Sequence, residues 1–185
     1  MLSSFANEGK AFFIAIWAAG FLLLVKSKKA KVYQSLAVVF SVVALLPYAG
    51  ISFFSEMGIG YIDIEQCLTE LPTWQTMTTQ NRIAFFWWIA AVLFTLVLLW
   101  KVTGHSVFIS MVFLGGIASE AVLHFSPTIY ASGARVYYLT DLMYLFIILW
   151  MVMRMDSEKK KNLFIAGAAA LGIINFLSQY SIMLL

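Results

Sequence analysis

Two carboxylates, a histidine and an arginine in the second half of the chain stand where charge is costly. Glu120, His124, Arg135 and Asp141 lie inside or beside long apolar runs. An acid at the centre of a membrane-spanning helix costs about 2.5–3.5 kcal/mol on insertion scales, so such a residue is a functional candidate by default. Glu120 and His124 are four residues apart and share one helix face. Arg135 opens the next apolar run, and Asp141 lies almost two turns further on. As a site, the group offers Glu120, Asp141 and His124 for acid–base catalysis. Arg135 would hold an anionic headgroup or phosphate through paired hydrogen bonds. Tyr130 and Tyr138, with Tyr137 and Tyr144 nearby, would bind substrate beside them. The same residues also fit an ion-pair network that fixes helix packing, because structural networks and functional sites look alike in sequence. Tyrosines at this depth equally fit an interfacial belt. The residues alone leave both readings open.

A second candidate is Asp63-Ile64-Glu65, whose two acids can hold a divalent cation beside a phosphate or form a solvated face. Gly58-Ile59-Gly60 lacks the spacing of a phosphate-cradling loop. The single cysteine, Cys67, excludes an intramolecular disulfide and a thiol relay. With two histidines in the chain, an all-protein transition-metal site is not expected. His105 reads as a surface histidine in a turn. Neither G-x-S-x-G nor H-E-x-x-H occurs, so the sequence specifies no cofactor.

The elements that position these residues follow from composition. Over 185 residues, 62% are hydrophobic and 11% charged, with a mean hydropathy of +0.90. A water-soluble domain carries roughly 25% charge, and a helix needs about 20 apolar residues to cross about 30 Å of hydrocarbon. The reading is an all-α integral membrane bundle of about six transmembrane helices, residues 1–185 forming one domain. The expected spans are 11–25, 32–54, 82–100, 106–125, 135–153 and 163–185. Pro47 should kink or end the second span, and the turn 101–105 should join the third to the fourth. Ser126-Pro127 should end the fourth and make it an antiparallel neighbour of the fifth. The first apolar run has its lysines after it, at Lys26, Lys28 and Lys29, so it reads as an uncleaved helix instead of a signal peptide.

Charge sets the orientation. Loops alternating across the bilayer place Lys26, Lys28, Lys29, Lys31, Lys101, Arg154, Lys159, Lys160 and Lys161 on one side, nine of the twelve Lys and Arg. That side is cytoplasmic by the positive-inside rule. Both termini are then non-cytoplasmic, and the Glu120–Asp141 group lies near the external face. The net charge of +3 arises from residues flanking apolar runs, not from a basic patch with interleaved aromatics, so nucleic acid is not an expected partner.

The stretch Phe125-Ser126-Pro127-Thr128-Ile129-Tyr130-Ala131-Ser132-Gly133-Ala134-Arg135, followed by an apolar helix, resembles a Ser-Pro…Arg segment of multi-pass bacterial envelope proteins related to GT-C-type glycosyltransferases. The matching residues are Ser126, Pro127, Ser132, Gly133 and Arg135, about one-tenth of the chain. GT-C enzymes have more spans and an acidic motif in a long external loop, for which only Asp63-Ile64-Glu65 stands in here. The resemblance implies the bacterial plasma membrane and a lipid-linked saccharide substrate, handled by a glycosyltransferase-like protein or its partner subunit. Two other functions fit the composition. A small-solute transporter would have a pocket at the midplane, with Pro47 and Gly50 as the hint of a broken helix. A membrane interaction or assembly factor would dock a membrane protein partner through Gly167, Ala168, Ala169, Ala170 and Gly172, a stretch that equally fits packing within the bundle.

Overall fold

The computed structural model describes residues 10–25, 30–45, 79–123 and 138–183, with side chains for 11–25, 30–45, 86–119 and 138–174. Six helices account for nearly all of them, and no strand occurs among the described residues. They are α1 (Lys10–Leu24), α2 (Lys31–Leu45), α3 (Thr79–Val102), α4 (Val107–Leu123), α5 (Tyr138–Met153) and α6 (Glu158–Met183). Each stretch expected as a span overlaps one helix. The part of the second span beyond Leu45, including Pro47, lies outside the described residues.

After Lys10, α1 carries no polar residue on any face. A helix apolar all round belongs in an interior, and α1 packs against α2, α3, α5 and α6. Its Phe13, Ile16, Trp17 and Ala19 are fully buried. Phe13 stands at the middle of an aromatic cluster, 5.7 Å from Trp17, Trp88 and Phe113 and 5.8 Å from Tyr144, in edge-on geometry. Such ring pairs contribute about 0.5–1.5 kcal/mol each beyond the area they bury.

The contacts define an up-and-down bundle. Phe13–Trp88 and Trp17–Thr95 run in the same sense along α1 and α3, so these helices are parallel. Phe113–Tyr144 and Phe108–Phe146 run in opposite senses, so α4 and α5 are antiparallel neighbours, as the sequence predicts. Phe40 stacks on Phe94 at 4.8 Å while Tyr33 lies under the Lys101 ammonium, which sets α2 antiparallel to α3.

The connections obey local rules. α3 ends in a Schellman arrangement, with the His105 N–H donating to the Trp100 carbonyl at 2.9 Å. Gly104 takes the left-handed conformation there at φ 66°, and His105 follows it at φ 72°. The Ser106 N–H then donates to Thr103 Oγ1 at 3.1 Å as α4 begins. At the last connection, the Ser157 carbonyl accepts from the Lys160 and Lys161 N–H groups, and α6 starts at Glu158. The sequence reading sets the polar run 154–162 before the last span; instead Lys159, Lys160 and Lys161 belong to the first turns of α6. An acid beside the N-terminus and a Glu158–Lys161 pair at 2.8 Å favour that start.

α1, α2, α4 and α5 have 15, 15, 17 and 16 residues, about 22–26 Å at 1.5 Å per residue. Among the described residues, no helix is long and apolar enough to cross a membrane.

Candidate functional site

The α4–α5 hairpin carries the described part of the predicted site. The two helices approach closely because Gly115 and Gly116 present no side chain to α5. A Cβ on Gly116 would come within 3.0 Å of the Tyr144 ring, and one on Gly115 within 3.6 Å of the Met143 sulfur. Bare backbone at Gly116 also leaves its carbonyl open to a second partner. The buried Thr140 hydroxyl donates to it at 3.2 Å, a polar clamp between the helices. Tyr144, one turn along, is buried against Phe12, Phe13 and Phe113. The sequence grouped this tyrosine with the interfacial ones; the structure puts it in the core, because the glycine pair opens room for its ring.

Asp141 follows Thr140 in the first turn of α5, where the positive end of the helix dipole favours an acid. It is half-buried at the edge of the α4–α5 contact. Tyr138, three residues earlier on the same face, is 64% exposed. Glu120 lies in α4 one turn beyond Gly116, so its backbone is on the side of α4 that faces α5. The Thr140–Gly116 pairing sets the register. It places the Glu120 and Asp141 backbones about 7 Å apart along the bundle axis. Both acids therefore belong to one hairpin and one end of the bundle. The Glu120 side chain, and the whole of His124, Tyr130 and Arg135, lie outside the described residues, as do Asp63 and Glu65. No metal-binding group of His, Cys, Asp or Glu occurs among the described residues.

The other end of the bundle is basic. The Lys160 ammonium donates to the Leu22 carbonyl at 2.7 Å, tying α6 to the C-terminal turn of α1, where the helix dipole favours a cation. The Gln34 amide donates to the Leu24 carbonyl beside it. Lys101 lies 5.9 Å from the Tyr33 ring centre and Arg154 4.4 Å from that of Trp150. Exposed His105 packs on Trp100 at 5.3 Å. Of the charged residues whose side chains are described, Lys31, Lys101, Arg154, Asp156, Glu158, Lys159, Lys160 and Lys161 are all here, and only Asp141 is not.

Two features were missed by sequence reasoning. One is a buried polar pin between α1 and α3, in which Trp17 Nε1 donates to Thr95 Oγ1 at 2.8 Å and Thr95 donates to the Ala91 carbonyl at 2.7 Å. A threonine in an apolar helix was the available signal, but its partner is 78 residues away. The other is a cavity of about 500 Å³ between α1, α2 and α6, lined almost wholly by apolar side chains. The small residues of α6 face outward more than inward: Gly167 and Gly172 have open space where a Cβ would stand. No family model matches the chain, and no curated protein or solved structure is significantly similar to it.

Proposed function

We propose that the chain is an integral membrane protein of the bacterial cell envelope, its basic end cytoplasmic, which acts on or assists transfer of a lipid-linked saccharide at the opposite face. The observation that carries the membrane part is the outer surface of the bundle. Large apolar side chains are exposed on the helices: Leu93, Met111, Leu149 and Ile165 are each more than half exposed. Water-soluble proteins rarely expose continuous apolar surface of this kind, whereas lipid tails solvate it at no cost. The hydroxyls of Thr95 and Thr140 are meanwhile buried and bonded. The short helices fit a bilayer that thins locally, with flanking lysines reaching to the headgroups.

The saccharide part rests on chemistry and position. Asp141 is a half-buried carboxylate beside an exposed tyrosine, at the end of the bundle remote from the basic residues. A carboxylate accepts hydrogen bonds from sugar hydroxyls or serves as a base, and a tyrosine ring packs against a sugar face. The resemblance of the Ser126–Arg135 segment to GT-C-related envelope proteins supports the same substrate class. A solute transporter fits less well, because the described cavity between α1, α2 and α6 is apolar.

The test pairs two measurements. Membranes from expressing cells are extracted with alkaline carbonate, and the protein is expected in the pellet. Transfer of labelled sugar from a polyprenyl-phosphate donor is then measured in those membranes for Glu120→Gln, Arg135→Ala and Asp141→Asn. Glu120→Gln and Asp141→Asn are each expected to lower transfer about 100-fold or more, the scale of one acid–base group, and Arg135→Ala to lower it as well, at unchanged protein level. Undiminished transfer in all three would refute the saccharide reading, and recovery in the soluble fraction would refute the membrane one.

A further inference from the structure

A threonine inside a helix commonly donates to a carbonyl one turn back in its own helix, as Thr95 does to Ala91. Thr140 is the third residue of α5 and has no such carbonyl in that helix. Its buried hydroxyl crosses to α4 instead and donates to the Gly116 carbonyl at 3.2 Å. Within α4 the same carbonyl accepts the N–H of Glu120, four residues on. One oxygen therefore joins the turn of α5 that carries Asp141 to the turn of α4 that carries Glu120. The register agrees with this link. Ile109, Phe113 and Gly116 form the buried stripe of α4, and Glu120 takes the next position along it. Thr140 and Tyr144 are the facing buried positions of α5. Apolar packing between the two helices, such as Phe113 on Tyr144, is non-directional and tolerates a small slide along their axes. A hydrogen bond weakens steeply off its line and so fixes the register.

We propose that Thr140 is a positioning residue, which holds Glu120 and Asp141 at a fixed spacing so that the two acids act as one pair. The inference rests on the saccharide-transfer reading and adds to it the residue that sets the geometry of the site. Thr140 acts through the Gly116 carbonyl and not on substrate. Asp141 lies one residue from the donor of that bond and Glu120 one turn from its acceptor. Without the hydroxyl, α4 is free to slide on α5, and one acid moves against the other. A misplacement of about 1 Å can cost about 100-fold in rate. The glycine contact at Gly115 and Gly116 persists in such a variant and limits the slide, so a loss of about tenfold in kcat is expected. KM should change little, because an interaction made only in the transition state is what is lost.

The test measures transfer of labelled sugar from the polyprenyl-phosphate donor in membranes, per mole of embedded protein. Thr140→Val keeps the shape of the side chain and removes its hydroxyl, and should show the loss in kcat. Thr140→Ser, which keeps the donor, should restore it. Thr95→Val is the control for stability. It removes a buried bond of the same kind between α1 and α3 and also strands the Trp17 indole, so it destabilises at least as much. Its kcat should equal that of the wild type. In an Asp141→Asn background, Thr140→Val should cost little further, because groups that act as a unit are not additive. Thr140→Ala replaces the valine variant if valine lowers the yield. Wild-type kcat in Thr140→Val, no recovery in Thr140→Ser, an equal loss in Thr95→Val, or an undiminished loss beside Asp141→Asn each overturns the proposal. The two levels of failure are separable. No transfer by the wild type ends the saccharide reading and this one with it, while transfer that needs Asp141 but not Thr140 ends this one alone.

Discussion

Thr95→Val removes one polar atom from the middle of the bundle and changes little else. The Thr95 hydroxyl accepts from the Trp17 indole at 2.8 Å and donates to the Ala91 carbonyl at 2.7 Å, and both side chains are fully buried. Valine keeps the shape but leaves the indole N–H facing methyl groups. A buried donor deprived of its partner costs about 1–3 kcal/mol. Interhelical hydrogen bonds inside membrane proteins average about 0.6 kcal/mol and reach about 1.7 kcal/mol. The lower scale applies if the unfolded reference remains in lipid or detergent, so about 1–2 kcal/mol is expected. For a protein of this size that lowers Tm by about 2–8 °C. Helical circular dichroism followed through thermal unfolding in detergent reads the shift. Trp17→Phe and the double variant complete a cycle, since Trp17→Phe also loses ring packing against Phe13 and Phe40. Once Thr95 is valine, Trp17→Phe should cost less by the coupling energy, on the order of 1 kcal/mol. An unchanged Tm for Thr95→Val, or strict additivity in the cycle, would refute the assignment of this pair as a pin between α1 and α3.

Gly20→Ala and Gly167→Ala form a matched pair, because alanine favours both helices by at most about 1 kcal/mol. At Gly20 the new Cβ would stand 2.7 Å from Leu98 Cδ2, a side chain itself fully buried. Overpacking there costs about 1–3 kcal/mol, so Tm should fall. At Gly167 the Cβ meets open space, so Tm should hold or rise, and a fall there would contradict the uncovered face of α6. Lys160→Met keeps the stem but removes the ammonium from the Leu22 carbonyl. It should lower Tm by the equivalent of about 1–2 kcal/mol, and Lys159→Met, offered as control, should leave Tm within a degree or two.

The number and order of helices were legible because long apolar runs separated by charge and turn residues are one-dimensional signals. The turn 101–105 was legible for the same reason, and the structure puts the left-handed Gly104 and His105 within it. Which faces meet was not legible. A helix such as α1 is apolar on every side, so no stripe tells which residues touch α3 and which touch α5. Nothing local distinguishes Gly20, pressed on Leu98, from Gly167, which faces open space. Tyr144 and Tyr138 illustrate the same limit within one helix: six residues apart, one is buried in the aromatic core and the other is 64% exposed. The start of α6 was misjudged because three consecutive lysines look like a loop, whereas Ser157 and Glu158 make them a helix start.

The candidate acids were chosen by cost, and the structure gives that choice a physical setting. Among the described side chains every charge but Asp141 gathers where α1, α3 and α5 end and α2, α4 and α6 begin. The cations Lys160, Lys101 and Arg154 are engaged there by a carbonyl and by aromatic rings, so that end is stabilised without any ligand. Asp141 has a different economy. It is held on a hairpin whose two helices are locked by the Thr140–Gly116 bond and the glycine pair, one residue from that lock. Thr140 and Tyr144 fill the interior of that lock, where an unpaired carboxylate would be costly. Asp141 sits beside them, half-exposed and three residues after the exposed Tyr138, in the first turn of α5. Rigid support with an accessible carboxylate is what positioning chemistry requires. For that reason the Asp141→Asn variant, and not a change at the basic end, separates a working site from a structural charge.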